Sequence, residues 1–206
     1  MIKQYSQLGQ DVQAHSLFKD ESKCYFIEIG AHDGEKYSNT FLLEKLGWSG
    51  ICIEANPELY KRLKHTRKKS KCVKAACYSE SGKTLDFCKA DLLGGLSDHI
   101  GSYKDVVKDK PTFKVQTKTL TEILNTQKAP KYIHFLSIDT EGSELEILKG
   151  IDFNRYSFGL ISIEHNYEEP RRTDMKHFLE SQNYRFWKEN KWDDDYLSTK
   201  LFSSIK

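Results

Sequence analysis

Residues 25–34 read Tyr-Phe-Ile-Glu-Ile-Gly-Ala-His-Asp-Gly. Tyr25 to Ile29 has the composition of a buried strand, and it stops on Gly30. Gly30 and Gly34 let the chain turn tightly and bring backbone N–H groups close to a ligand. Working outward, Ser38-Asn39-Thr40 opens a helix through Phe41, Leu42, Leu43 and Leu46, which Gly47 ends. Ile51-Cys52-Ile53-Glu54 is a second short apolar strand. Asn56-Pro57 then starts a helix, a cap followed by proline at the first helical position, that runs to about Thr66. Cys72 to Ala76 is a third strand. Upstream, Ser6 is expected to cap a first helix with Leu8, Val12 and Phe18 on one side.

The pattern resumes in the second half. Tyr132 to Ile138 is a strand ending at Asp139, and Ser143 to Lys149 is a helix closed by Gly150. Phe158 to Ile163 is a strand ending at Glu164, followed by a helix over Thr173–Ser181. Tyr184–Lys188 and Tyr196–Phe202 read as a closing strand pair with Asp193-Asp194-Asp195 at its acidic tip. Strands at 83–89 and 113–117 flank an irregular stretch, 90–112, and Thr121–Asn125 reads as a short helix. Irregular stretches of that length are usually functional. Strands alternating with helices predict an α/β fold. The expectation is a single domain over 1–206: a Rossmann-like, doubly wound, mostly parallel sheet with helices on both faces and an antiparallel C-terminal edge hairpin.

Composition bounds the function. With 38% apolar and 30% charged residues, and 11 Tyr, 11 Phe and 3 Trp, the chain is neither disordered nor membrane-spanning. A soluble, cytoplasmic protein is expected. A net charge of +2 gives no argument for nucleic acid as a partner. The five cysteines form no C-x-x-C pair, which argues against a disulfide framework and a zinc site. Cys24, Cys52 and Cys72 read as small core residues. Eight basic residues lie between Lys61 and Lys74. They read as a solvated helix face, with a patch for nucleic acid or anionic glycan as the sharper alternative.

In an open α/β sheet, ligands bind beyond the carboxyl ends of the strands. Glu28, Gly30, Glu54, Asp139 and Glu164 all stand there, a gathering of polarity that a structural protein has little use for. Glu54 follows Gly34 at the distance where a strand-two carboxylate meets the ribose hydroxyls of an adenosine ligand. His32 occupies the place of the glycine that pyrophosphate requires, and Glu28 would repel a diphosphate but accept from an ammonium. An adenosine ligand carrying an amino acid fits, which is S-adenosylmethionine. Asp139 and Glu141 are candidate general bases, with His165 as the alternative. Asp139, Glu164 and Asn166 could supply oxygen ligands to Mg²⁺ or Mn²⁺. Glu144 reads as a first-turn helix acid.

Tyr5–Asp11, Phe26–Gly34, Ser38–Thr40, Gly47–Ile51, Ile53–Pro57 and Ile138–Glu144, taken together and in this order, resemble the FkbM family of methyltransferases. The resemblance implies methyl transfer to a hydroxyl, most often on a sugar of a glycan or glycosylated natural product. It implies that Glu28, Gly30, Ala31 and Gly34 hold the methionine part of the cofactor, and Glu54 the ribose. Ala55, Ala76 and Cys77 would flank adenine. Gln7 and Asp11 would lie over the cofactor within an N-terminal cover, 1–20. Leu92 to Tyr103 is suggested as an acceptor wall. Tyr184, Phe186, Trp187 and Trp192 read as filling the edge of the core, with stacking on a sugar ring as the alternative. The chain leaves no room for a second catalytic domain, which suggests part of a larger glycan-modifying protein. The competing classes are a nicotinamide-dependent oxidoreductase, disfavoured by His32, and a non-catalytic binding module, disfavoured by the carboxylates at the rim.

Overall fold

The computed structural model describes residues 2–204. Helix α1 (Gln10–Leu17) leads into β1 (Tyr25–Ile29), α2 (Phe41–Lys45), β2 (Ser49–Glu54), α3 (Pro57–Thr66) and β3 (Lys71–Lys74). Then come β4 (Ala76–Cys77), β5 (Thr84–Cys88), α4 (Lys104–Val107), β6 (Thr112–Lys118) and α5 (Leu120–Thr126). The chain closes with β7 (Tyr132–Ile138), α6 (Glu144–Lys149), β8 (Ser157–Glu164), α7 (Arg171–Ser181), β9 (Tyr184–Asn190), β10 (Asp193–Ser198) and α8 (Thr199–Ser204).

Seven strands form one sheet in the order β3-β2-β1-β7-β8-β10-β9. The first five run parallel, and β10 runs antiparallel to both neighbours. Strand side chains alternate between faces, so each strand feeds two cores. Ile27, Ile51, Ile53, Leu136 and Ile161 join residues of α5, α6 and α7 on one face. Phe26, Cys52, Phe135 and Leu160 meet Ala14, Leu43 and Leu63 of α1, α2 and α3 on the other. This is the Rossmann-like doubly wound arrangement expected from the alternation. No described helix is long and apolar enough to cross a membrane.

Asn56 accepts from the N–H groups of Glu58 and Leu59, so the Asn-Pro signal placed the start of α3 correctly. Four expectations need correction. Ser6 does not cap α1. The helix follows Gly9 without a side-chain cap, and the Ser6 hydroxyl donates to Asp11 Oδ1 at 2.6 Å. The buried side of α1 is Gln10, Asp11 and Ala14 rather than Leu8 and Val12. The third strand splits at Ala75, after which Ala76–Cys77 joins β6 and β5 in a separate three-stranded sheet. The last strand covers Asp193–Ser198, with Thr199–Ser204 helical.

The acidic run Asp193-Asp194-Asp195 is therefore no hairpin tip. It lies in an inner strand, with exposures of 5%, 2% and 0%. Buried carboxyls need partners, and these acids have them. Gln10 Nε2 donates to Asp193 at 2.7 Å, and Gln13 Nε2 to Asp195 at 2.7 Å. On the opposite face Arg172 grips Asp194 through Nε at 2.9 Å and Nη2 at 2.7 Å. The polar face of α1 is thus a lining for β10, which brings the N-terminal segment over the end of the sheet.

Candidate active site

Strand order reverses between β1 and β7, and there the loops after the strands part around a cavity of about 540 Å³. Gly30 sits at the crossing with φ +84°. A Cβ on it would lie 1.7 Å from the Asp139 carbonyl oxygen, so only glycine lets the β1 and β7 loops approach this closely.

One end of the cavity is built from the first strands. Glu54 is 6% exposed. Its Oε1 accepts the Asn56 N–H at 2.7 Å and its Oε2 the His32 N–H at 2.9 Å. Burial pushes its pKa up to about 7, against the pull of those two N–H groups. Each oxygen keeps a further lone pair for a hydroxyl donor. Ala31, Ala55, Ala76 and Cys77 line the space beside it, and Gln7 reaches it from the N-terminal segment. Burial raises the Cys77 thiol to about 12, so it serves as a wall and not as a nucleophile.

Three sequence-expected residues are engaged elsewhere. Asp11 does not line the cavity. It accepts from the backbone N–H groups of Tyr5, Ser6 and Val12 and shapes the turn before α1. Gly34 is packed against Leu63 and Arg67, each 2.7 Å from where a Cβ would stand. Glu28 does line the cavity, but its carboxylate is already occupied. It accepts from Ser38 Oγ at 2.9 and 3.0 Å, from the Asn39 N–H at 2.7 Å, from Thr40 Oγ1 at 2.6 Å and from Arg67 Nη1 at 3.3 Å. A carboxylate has about four lone-pair sites, which leaves Glu28 none for a ligand ammonium. Its work is to fix the Ser38–Thr40 loop, whose Ser38 and Asn39 form part of the wall.

The other end of the cavity is acidic. Single oxygens of Asp139, Glu141 and Glu164 lie within 4.8 Å of one another, and all three residues line the space. Burial is the first cause of their raised pKa values; the charge of Asp139 adds to it at Glu141 and Glu164, and that of Glu144 at Asp139, where a hydrogen bond with Glu164 pulls the other way. Asp139 reaches about 7 and Glu141 about 8, while Glu164 is pushed well up. Glu164 Oε2 is buried without a hydrogen-bond partner among the described residues. Asn166 lines the cavity, its amide nitrogen 3.5 Å from Glu141 Oε2. His165 is fully buried and does not line the cavity. Its Nδ1 accepts the Tyr167 N–H at 2.9 Å, so a ring proton belongs on Nε2, 3.4 Å from Asp194. That placement removes His165 as the base. Alternation along the chain puts it on the side of the sheet away from Glu164's opening.

A family model for the methyltransferase FkbM domain matches residues 28–186. The chain belongs to the FkbM methyltransferase family. This makes it an S-adenosylmethionine-dependent methyltransferase, as the sequence blocks implied. No curated protein matches the chain. Among solved structures, the METTL16 methyltransferase domain has a TM-score of 0.53 at 15% identity, covering 96% of this chain and 68% of that one. A second structure of that domain gives 0.52 at 14%, covering 93% and 66%. Precorrin-6y C5,15-methyltransferase from Geobacter metallireducens gives 0.48 at 13%, covering 91% and 86%. At such identities the likeness is one of fold.

Sequence reading missed several residues that build the FkbM methyltransferase's cavity. Arg67, counted with the basic face, is 2% exposed. It pairs with Glu44 at 3.0 Å and Glu28 at 3.3 Å, between the rings of Phe26 and Phe41. Glu144 is fully buried and accepts from the N–H groups of Thr140 and Gly142, so it braces the Asp139–Glu141 loop from below. The 91–103 segment is tied down at both ends. Asp91 Oδ1 lies 2.9 Å from His32 Nε2, and the Ser102 hydroxyl donates to Glu168 at 2.5 Å. Tyr103 lines the cavity near the acids, and burial followed by the charges of Glu141, Glu164 and Asp139 raises its phenol. Trp192 also lines the cavity, whereas Tyr184, Phe186 and Trp187 pack against the cores. A signal for Arg67 existed in the sequence, since Cys72 and Leu63 around it are apolar. Nothing local marked its acidic partners.

The buried acids set a pH dependence. Glu54, Asp139, Glu141, Glu164 and Asp193 all have raised pKa values in the fold, while carboxyls of an unfolded chain ionise at about 4. Above that value the folded state binds more protons, so stability falls as pH rises through the folded pKa values. The ligand-free protein is expected to melt at a lower temperature at about pH 8 than at about pH 5.5, with Glu164→Gln flattening the trend. Equal melting temperatures by calorimetry would contradict the placement of these groups.

Proposed function

We propose that the protein transfers a methyl group from S-adenosylmethionine to a hydroxyl of a sugar in a glycan or glycosylated natural product. The carrying observation is Glu54, a buried carboxylate held by the His32 and Asn56 N–H groups at one end of a cavity whose other end holds Asp139, Glu141 and Glu164. The residues present fit the cofactor. Glu54 has free lone pairs for the ribose, and Ala31, Ala55 and Ala76 leave room for adenine. S-adenosylmethionine supplies a methyl group on a sulfonium, an electrophile that needs no activation by the protein. What the chain must do is position the acceptor and take its proton.

Glu141 is the group we assign to the proton. It lies in the loop after β7, lines the cavity and is half-buried, so it can meet an acceptor entering from outside. Asp139 and Glu164 stand deeper and orient the hydroxyl. The 90–112 segment, with Tyr103 near the acids, forms the acceptor side of the chamber, and Trp192 adds an aromatic residue to its lining. Glu141→Gln is expected to lower kcat by about 10²- to 10⁴-fold while cofactor affinity stays. The measurement is methyl transfer to a sugar panel beside calorimetric titration with S-adenosylmethionine and its demethylated product. Full turnover in the variant would remove Glu141 from the role.

A second reading concerns a divalent ion, Mg²⁺ or Mn²⁺, and rests on the unpartnered buried Glu164 oxygen beside Asp139 and Glu141. Oxygen donors of this kind suit either ion. Bound there, the ion would lower the pKa of a coordinated hydroxyl. Titration with Mn²⁺ should then give saturable binding that Glu164→Gln weakens, and no binding would leave the carboxylates acting alone.

A further inference from the structure

Helix α3 carries charge that the site described so far does not use. Lys61, Arg62, Lys64, His65, Lys68 and Lys69 are exposed on it and on the turn that follows. None of these lysines and arginines makes an ion pair within 4.0 Å among the described residues. Lysines elsewhere commonly do, as with Lys89–Glu58, Lys114–Asp86 and Lys118–Glu122. Cations in the last helical turn complement the macrodipole, which accounts for Lys64 and His65 but not for Lys61, Arg62, Lys68 and Lys69. The acids nearby are spoken for. Glu58 is bound to Lys89 at 2.6 Å, and Asp33 accepts from the Glu35 and Lys36 N–H groups.

The charged face also adjoins the cavity. Lys61, Arg62, His65 and Thr66 line a shallow depression with Asp33. The next residue along, His32, lines the cavity, as does Lys36 on the far side of that short loop. Asp91, at the cavity mouth, feels the charges of His32, Lys36 and Arg62. At about 1.5 Å rise per residue, Lys61 to His65 spans about 6 Å of helix, and Lys68 and Lys69 carry the charge past its end, enough for more than one anionic group of an extended chain.

We propose that the acceptor is an acidic oligosaccharide whose anionic groups lie along α3 while one of its hydroxyls enters the cavity past His32 and Lys36. This rests on the sugar reading above and deepens it. Among the exposed residues of this face the one flat ring is the His65 imidazole. No Phe, Tyr or Trp occurs from Lys61 to Lys74. Single-stranded nucleic acid is bound on stacking platforms as well as charge, so a glycan is the better match.

The test titrates the full chain with three probes at low and at physiological salt: an oligogalacturonate hexamer, uncharged maltohexaose and a single-stranded oligouridylate. The galacturonate probe should bind and weaken with salt, and Lys61→Glu combined with Arg62→Glu should cost about tenfold or more in its affinity. S-adenosylmethionine affinity should stay the same in that variant, because neither residue lines the cavity. Lys61→Gln with Arg62→Gln should give a smaller loss, and serves if charge reversal harms folding. Equal binding of maltohexaose, tighter binding of oligouridylate, or indifference to the substitutions would each overturn the proposal. If the wild type binds S-adenosylmethionine but not the galacturonate, this inference alone fails. If it binds no S-adenosylmethionine, the proposed function fails first.

Discussion

Glu54→Ala is expected to weaken S-adenosylmethionine binding by about two to three orders of magnitude, since charge-assisted hydrogen bonds contribute about 1.5–3 kcal/mol each. Two effects add. The variant loses the acceptor oxygens available to the ribose, and it strands the His32 and Asn56 N–H groups that Glu54 now satisfies at 2.9 and 2.7 Å. Those two N–H groups belong to the loop after β1 and to the start of α3, so both walls of that end of the cavity should loosen. Glu54→Gln keeps one carbonyl oxygen and should lose less. Calorimetric titration reads the difference directly. Unchanged affinity in Glu54→Ala would place the cofactor elsewhere and remove the foundation of the proposed function.

Arg67→Met should produce the largest loss of stability of any single substitution considered, about 3–5 kcal/mol, because it leaves buried charge uncompensated. Methionine preserves the apolar stem against Phe26 and Phe41, so the loss reports charge and hydrogen bonding. Glu28 and Glu44, 4% and 6% exposed, would both lose their cation. Arg67 also donates to the carbonyls of Gly34 and Thr40 and to the Ser38 and Thr40 hydroxyls. At about 2–4 °C per kcal/mol for a chain of this size, the melting temperature should fall by roughly 10 °C or more. A shift of a degree or two would mean that the fold does not depend on this buried ion-pair cluster.

The sequence by itself determined the α/β class, the parallel sheet and the carboxylate-bearing rim that lines the cavity. These are local signals: apolar runs broken by glycine, an Asn-Pro cap, and carboxylates in the residue or two at which a strand ends. Glu54, Asp139, Glu141 and Glu164 needed no partner to be found, because parallel strand direction alone sends them to one end of the sheet. The fates of Glu28, His165, Arg67 and Asp193-Asp194-Asp195 were decided only by tertiary structure. Each depends on a group far away along the chain. Arg67 closes on Glu28 from 39 positions on, and Gln10 reaches Asp193 across 183. Three consecutive acids look like a solvated turn until a polar helix face covers them, and a basic residue at the end of a basic helix looks exposed until two glutamates surround it. Burial of charge is favourable only with its partner in place, and that partner is supplied by the fold.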